Sequence, residues 1–333
     1  MLTLVTGAGL IGCRTAALLA ARGEPVALLD LRPDHDALAS VPGLDAVQLE
    51  TGDVRDRASM RALFERLGVT RVLHTAAALS MAIRRDPTLA ADVNFGGTVN
   101  LLEAARATGV QRFVLASSTT LAYPIFARPH TAPIPEDFAF HVVGERPGSL
   151  YAASKLAAEF FVQHYADQFA LSVGILRYSA VLGLWAGPNN SVPGRLLATL
   201  LGQGAVDGEV TVSDPLLLWS GGDDFIDARD VALANVAALD AARLPSRVYT
   251  IGSGKLTHFH EFVAAARQVR PDLRHADVVL PSTGFAGFAH QRDQPFDVGL
   301  ARRELGFSAR HDLLDSMREA AQRMASRPDV EPG

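Results

Sequence analysis

Short apolar runs alternate with segments of helical periodicity along the first half of the chain. The apolar runs lie at residues 2–6, 25–29, 46–49, 72–78 and 112–116. Each has the composition of a buried strand, whereas residues 57–67 and 92–108 carry apolar side chains at helical spacing. This alternation predicts an α/β fold, a doubly wound parallel sheet with helices on both faces. Ligands bind such a sheet at the carboxyl ends of its strands.

The second half contains similar elements separated by irregular stretches. A helix is predicted from Ser149 to about Phe169. Residues 123–148 contain five prolines and lack a clear period, which is typical of a lid or substrate loop. Residues 183–222 are rich in Gly and Pro, with one helical piece near 195–201. Further strands are predicted at residues 171–177, 248–251 and near 277–280.

A glycine-rich turn joins the first strand to the first helix, which is predicted at residues 13–22. Its pattern is Gly7, Gly9 and Gly12 with Leu10 and Ile11 between the last two. Such glycines permit a tight turn and close approach of a pyrophosphate, and the helix N-terminus supplies amide donors. The turn therefore predicts a dinucleotide site.

Asp30 ends the second strand and lies 18 residues beyond Gly12. A carboxylate at this position accepts hydrogen bonds from both ribose hydroxyls and repels a 2′-phosphate. The sequence thus favours NAD over NADP as the cofactor. Arg32 is the one nearby residue that argues for the phosphate.

Tyr151 and Lys155 lie four residues apart at the start of the helix that follows Ser149. Helical geometry stacks them on one face, where we expect the ammonium to lower the pKa of the phenol. A tyrosine prepared in this way exchanges a proton with an alcohol near neutral pH. The pair also occurs by chance on amphipathic helices, so its meaning depends on its setting.

Composition limits the partners. The formal net charge of −5 is small for 333 residues and the basic residues are scattered, so we expect a small-molecule ligand and no nucleic-acid or membrane partner. The single cysteine, Cys13, excludes an intramolecular disulfide and fits a reducing compartment. The apolar N-terminus is interrupted by glycines and lacks a basic leader, which favours a cytoplasmic location. Histidines 130, 141 and 164 have no metal-ligand spacing, so no metal is predicted.

The chain resembles the extended short-chain dehydrogenase/reductase family, the NAD-dependent epimerases and dehydratases, over nearly its whole length. The resemblance rests on motifs that follow the family's order. They are the glycine turn, Gly52-Asp53-Val54, His74-Thr75-Ala76-Ala77, Asn94 with Gly97-Thr98, Ser117-Ser118, Tyr151 with Lys155, Leu176-Arg177, Asp224-Phe225-Ile226, residues 249–254 and residues 301–307.

The resemblance implies a Rossmann-type domain of residues 1–177 with about 225–252. Residues 178–224 and 253–333 would form a smaller α/β substrate domain. It makes Tyr151 the proton-transferring residue, lets Lys155 hold the nicotinamide ribose, and assigns Ser118, or else Thr119, to the reacting hydroxyl. The other implied contacts to NAD are Asp53 and Val54 beside the adenine, with Thr75, Ala76, Ala77 and Asn94. Substrate contacts would come from Ser80, Asn190, Arg195 and Arg292, and the long helices after the fourth and fifth strands would join a homodimer.

Two departures from the family pattern bear on the substrate. The glycine turn is one residue shorter than usual, so we expect a different loop shape. Asp223 stands where nucleotide-sugar members commonly have an Arg that meets the substrate pyrophosphate. A carboxylate there repels a diphosphate, unless Arg195 or Arg292 supplies the missing charge. Thr119 and Thr120 replace the acidic residues of the dehydratase branch, which argues against elimination.

The sequence therefore predicts an NAD-dependent oxidoreductase acting at a secondary alcohol of a sugar-like substrate. The favoured substrates are a free sugar, a sugar acid or a polyol derivative. The alternative within the enzyme class is a nucleotide-sugar epimerase. A non-catalytic NAD-sensing regulator is disfavoured, because Tyr151 and Lys155 are both present.

Overall fold

A parallel sheet forms the centre of the protein. The computed structural model describes residues 1–127, 132–138, 147–187, 191–202, 209–210, 212–275 and 278–325. The strands are β1 Leu2–Thr6, β2 Val26–Asp30, β3 Gln48–Thr51, β4 Val69–His74, β5 Arg112–Ser118, β6 Ser172–Tyr178, β7 Ala180–Leu182, β8 Glu209–Val210, β9 Phe225–Asp227, β10 Val248–Ile251 and β11 Arg274–His275. Seven strands pair in the order β10-β6-β5-β4-β1-β2-β3, and every pairing in this sheet is parallel. The predicted α/β fold class is confirmed.

Helices cover both faces of this sheet. They are α1 Leu10–Ala20, α2 His35–Ala39, α3 Arg57–Leu67, α4 Ser80–Arg85, α5 Thr98–Thr108, α6 Leu150–Phe169, α7 Val192–Leu201, α8 Ala228–Asp240, α9 Phe259–Val269, α10 Gly299–Leu305 and α11 Leu313–Ala325. Ser149 caps α6, its side chain accepting a hydrogen bond from the amide of Ala152, which explains why this helix begins where the sequence predicts. The strand order reverses between β1 and β4, so their carboxyl ends open a crevice.

Several element bounds differ from the predicted ones. The predicted helix at 92–108 is divided into a π-helix at Ala90–Gly97 and α5, and Gly97 at their junction packs closely against Val54. A Cβ at Gly97 would lie 2.7 Å from Cγ2 of Val54. The predicted strand near 277–280 is wrong for residues 278–280, which have no strand, and Asp277 lies outside the described residues.

The apolar side chains form separate cores. Two clusters pack on the two faces of the sheet, the first including Val5 and Leu28 and the second including Leu4 and Leu29. Neighbouring residues of one strand thus enter opposite cores, as the pleat requires. A third core lies away from the sheet and collects residues of α7, β9, α9 and α11 around Trp219. These segments include those assigned to the substrate domain, whose boundaries stay a prediction.

Candidate active site

The glycine turn packs tightly at two of its three glycines. Gly7 has a φ of 93°, and a Cβ there would lie 2.7 Å from the amide nitrogen of Ala76. A Cβ at Gly12 would lie 1.9 Å from the carbonyl oxygen of Gly7, so α1 touches the turn at this point. Gly9, in contrast, has nothing within 4 Å of an added Cβ. The shorter turn therefore still closes against the end of β4 and leaves open space at the N-terminus of α1.

Asp30 is held in place by two backbone amides. The amide of Ala8 donates to Oδ2 at 2.8 Å and the amide of Arg32 donates to Oδ1 at 2.9 Å. These contacts orient the carboxylate toward the crevice, where it retains acceptor capacity for ribose hydroxyls. Arg32, the nearby residue that argues for a 2′-phosphate, is exposed at the same edge of the sheet.

One cavity of about 570 Å³ runs along the carboxyl ends of the strands. It is lined by every residue predicted to contact the cofactor except Asn94. They are Gly7, Gly9, Leu10, Ile11, Gly12, Asp30, Asp53, Val54, Thr75, Ala76, Ala77, Tyr151 and Lys155. The glycine cradle, the acidic ribose position and the Tyr-Lys pair thus share one cavity, and this donor set fits a dinucleotide.

Asn94 lies behind the cavity wall. Its Oδ1 accepts a hydrogen bond from the Ala78 amide at 2.7 Å, and its Nδ2 donates to the Ala78 carbonyl at 3.0 Å and to Ser154 Oγ at 3.1 Å. The side chain joins the loop after β4 to helix α6 and is 1% exposed. Asn94 therefore supports the site from behind the cavity wall in this structure, and its contact with the cofactor stays a prediction.

His74 also has a structural role, since it links the elements around the site. Its ring nitrogens lie 2.7 Å from Oγ1 of Thr6 and 3.0 Å from Oγ1 of Thr98, so it joins β1, β4 and α5. Burial lowers the pKa of His74 to about 3, and the charge of Lys155 acts in the same direction. The imidazole is therefore neutral at physiological pH.

Tyr151, Lys155 and Ser118 meet at the end of β5. The Lys155 ammonium donates to the Ala116 carbonyl at 2.8 Å and lies 5.9 Å from the centroid of the Tyr151 ring. Burial raises the pKa of Tyr151 to about 12, although a hydrogen bond with Ser118 acts to lower it. Burial lowers the pKa of Lys155 to about 8, and Glu159 opposes that change.

Burial outweighs the hydrogen bond with Ser118, so the pKa of Tyr151 stands above its ordinary value in this structure. The lowering of that pKa by Lys155 stays a prediction. The geometry of the pair nevertheless agrees with the prediction that both side chains share one helix face.

Sequence reasoning missed some residues of the cavity. Arg55 forms a bidentate ion pair with Asp53, in which Nε lies 3.0 Å from Oδ1 and Nη2 lies 2.6 Å from Oδ2. Tyr178 and Trp185 also line the cavity. Tyr178 is the last residue of β6, so the rule that sites form at strand ends would have found it. No sequence pattern points to Trp185, because its position depends on the path of the chain after β7.

The residues predicted to contact the substrate do not lie together at the cavity as the cofactor residues do. Ser80 is the first residue of α4 and Thr119 is buried directly after β5; neither lines the cavity. Arg195 forms an ion pair with Asp214. Asn190 lies outside the described residues. The structure therefore brings together the cofactor residues and Ser118, but not these side chains.

Arg292 is paired with Asp223 in a buried cluster. Its Nη2 donates to Oδ1 of Asp223 at 2.7 Å, and the hydroxyl of Tyr123 donates to Oδ2 at 2.7 Å. The two charged residues are each 3% exposed, and the guanidinium lies 4.4 Å from the ring centroid of Phe296. Asp223 is therefore a paired carboxylate whose charge Arg292 compensates. Its effect on a diphosphate stays a prediction.

The profile of the NAD dependent epimerase/dehydratase family matches residues 3–252. The chain belongs to this family. It is therefore an enzyme of the extended short-chain dehydrogenase/reductase type, and its cofactor is NAD. Among the described residues, no group of three or more His, Cys, Asp or Glu side chains could hold a metal ion. No helix within the described ranges is long and apolar enough to cross a membrane.

Relatives align over nearly the whole of this family member. UDP-glucose 4-epimerase of Corynebacterium glutamicum is 30% identical, with 96% of this chain and 94% of that protein covered. UDP-glucuronate 4-epimerase 4 of Arabidopsis thaliana is 27% identical, with 95% of this chain and 73% of that protein covered. The structure of UDP-glucose-4-epimerase from Stenotrophomonas maltophila, with bound NAD and formylated UDP-arabinopyranose, has a TM-score of 0.79 at 27% identity and covers 98% of both chains.

Proposed function

We propose that this protein is an NAD-dependent nucleotide-sugar 4-epimerase whose substrate is a UDP-sugar. The observation that carries the proposal is its alignment, over nearly its whole length, with the C. glutamicum UDP-glucose 4-epimerase. The relatives favour this alternative over the oxidoreductase of free sugars that the sequence put first. The Tyr-Lys pair beside a dinucleotide cavity is the equipment that the reaction needs.

The reaction in this proposal begins at the 4-hydroxyl of the sugar. Tyr151 takes the hydroxyl proton at its phenol oxygen while Ser118 hydrogen-bonds the same substrate oxygen. When bound, NAD would supply the hydride acceptor for the sugar carbon and the hydride donor to its opposite face, together with positive charge that favours the Tyr151 phenolate. Lys155 would hold the nicotinamide ribose, and Tyr151 returns its proton when the alcohol re-forms.

The rest of the cofactor is assigned to residues along the cavity. Asp30 would accept hydrogen bonds from the adenosine ribose, and the amides after Gly9 would hold the pyrophosphate. Asp53 and Val54 would flank the adenine. With the adenosine ribose at Asp30 and the pyrophosphate at these amides, the nicotinamide would reach Tyr151. The cavity is continuous from Asp30 to Tyr151, which fits this assignment.

The first prediction concerns turnover with UDP-sugars. Incubation of the protein and NAD with UDP-glucose or UDP-glucuronate is expected to give the 4-epimer, resolved by chromatography, without net NADH in the absorbance record. Each hydride that leaves the sugar returns to it, so the cofactor is not consumed. Net NADH with a UDP-sugar would contradict the epimerase.

One observation supports a second candidate function, which is a dehydrogenase or epimerase that acts on sugars without a diphosphate. Arg195 and Arg292, the residues expected to bind a diphosphate, are both engaged in ion pairs, with Asp214 and Asp223. In the same assay, free sugars and sugar acids are offered in parallel with UDP-sugars. Turnover of those compounds alone would favour this candidate.

The protein is also proposed to form a homodimer through the outer faces of α5 and α6. Phe161 and Phe169 on α6 are 42% and 40% exposed, which is unusual for large aromatic side chains. Phe95 packs edge-on against Phe161, with ring centroids 4.8 Å apart. A second copy would cover this surface. The cytoplasmic location stays a prediction.

A further inference from the structure

The last residues of β5 each contact a different turn of α6. The contacting residues of α6 are four apart, so they follow one face of the helix from the cavity toward the protein interior. In order along the helix, Tyr151 bonds Ser118, Lys155 donates to the Ala116 carbonyl, and Glu159 accepts from the Ser117 hydroxyl. The Tyr-Lys pair thus continues into a third polar residue.

Glu159 belongs to a buried ion pair with Arg177 of β6. Nε of Arg177 lies 2.9 Å from Oε1 of Glu159, and Nη2 lies 2.6 Å from Oε2. Nη1 of the same arginine donates to the backbone carbonyl of Glu136. Glu159 is 1% exposed and Arg177 is 2% exposed, so water does not screen the charges.

A buried ion pair is a weak source of stability, because desolvation offsets much of the attraction. The position of this pair indicates another use. Lys155 is 4% exposed, and burial alone drives its ammonium toward the neutral form. The carboxylate of Glu159 lies one helical turn away and opposes that loss of charge.

We propose that Glu159, one turn along the same helix face, is a positioning residue that keeps Lys155 protonated. This inference rests on the role given to Lys155 in the proposed function, where its ammonium holds the nicotinamide ribose. Ser117 and Arg177 hold the carboxylate in place, so that its charge stays fixed on the helix face that carries Lys155. A neutral residue of the same shape would leave Lys155 and Arg177 as two buried cations.

The other charged and titratable groups around Lys155 leave it as the group that titrates near neutrality. His74 faces it from β4, and its pKa is lowered to about 3 by burial. Tyr151 on the same helix has a pKa raised to about 12, and burial also raises the pKa of Tyr178 on β6. Lys155, with a pKa of about 8, therefore sets the pH response of this end of the cavity.

The test measures NAD affinity of the full chain from neutral to alkaline pH, by quenching of the fluorescence of Trp185, which lines the cavity. Lys155 is charged below its pKa, so affinity is expected to fall as the pH rises through about 8. In Glu159→Gln the midpoint of this fall is expected to move down by about one pH unit or more. Asp230→Asn is the matched control, since Asp230 is equally buried but binds His311 far from Lys155.

An unchanged midpoint in Glu159→Gln, or an equal shift in Asp230→Asn, would overturn the proposal. NAD binding requires no sugar, so this result is distinct from a failure of the UDP-sugar assay. If Glu159→Gln does not fold, the double variant Glu159→Gln with Arg177→Gln removes both charges of the ion pair and leaves Lys155 as the one buried cation of the three. Glu159 is the member of that pair that acts on the pKa of Lys155, so a lower midpoint is again expected, and an unchanged one again overturns the proposal.

Discussion

At the scale of single residues, burial and hydrogen bonds decide what each polar group of the site can do. Tyr151 is a proton donor in the isolated protein because burial raises the pKa of its hydroxyl to about 12. Asp30 is an acceptor because two amides orient its carboxylate. Asn94 has the residue type of a ligand contact, but its amide is used by Ala78 and Ser154. The role of a polar side chain in this site thus depends on its burial and hydrogen-bond partners as well as on its residue type.

Tyr151→Phe is expected to lower turnover by about 10² to 10⁴-fold, because it removes the group that exchanges the proton. The ring and its packing remain, so NAD affinity and the melting temperature are expected to stay close to those of the parent. Tyr178→Phe is the matched control. It removes another cavity hydroxyl, which donates to Asn235 at 2.6 Å and takes no part in the proposed reaction. Turnover by Tyr151→Phe equal to that of the control would refute the assigned mechanism.

At the scale of elements, the site depends on how closely secondary-structure segments approach one another. Helix α1 meets the turn after β1 at Gly12, and the π-helix meets the loop after β3 at Gly97. Neither contact leaves room for a side chain. Likewise, Ala116, Ser117 and Ser118 at the end of β5 contact residues on three successive turns of α6. These approaches bring the cofactor residues of separate segments into one cavity.

Gly9→Ala and Gly12→Ala are expected to separate cofactor binding from folding. At Gly12 the added methyl group meets the Gly7 carbonyl, so we expect a loss of about 1–3 kcal/mol in the free energy of unfolding together with weaker NAD binding. At Gly9 the φ of −90° suits alanine and the space is open, so stability is expected to change by less than about 0.5 kcal/mol.

The methyl group at position 9 would nevertheless occupy the place of the pyrophosphate, so NAD affinity is expected to fall in Gly9→Ala as well. Denaturant unfolding and NAD titration of both variants provide the measurement. Normal NAD affinity in Gly9→Ala would contradict the assignment of the turn to the cofactor.

At the scale of the whole molecule, the sheet with its two apolar faces supports the cavity, while a third core around Trp219 lies to one side. Asp223 and Arg292 join segments that are 69 residues apart in sequence. Long-range packing therefore holds these two segments together. The exposed aromatic surface on α6 lies elsewhere on the molecule and favours association with a second copy.

Phe161→Glu is expected to shift the protein from dimer to monomer, because it places a charge in the centre of the proposed interface. Sedimentation velocity at matched concentrations measures the change. Val279→Glu is the control, since Val279 is 94% exposed and outside that surface. A parent protein that sediments as a monomer would show that the homodimer is wrong.

The α/β class, the glycine turn and the Tyr-Lys pair were predictable from local patterns: strand-length apolar runs, a glycine motif and a spacing of one helical turn. The family resemblance added the other predicted cofactor residues. Long-range packing accounts for the pairing of Arg292 with Asp223 and for the burial that raises the pKa of Tyr151. It also sets Asn94 behind the cavity wall and pairs Glu159 with Arg177. Charge compensation and desolvation depend on neighbours distant along the chain, which a local pattern does not contain.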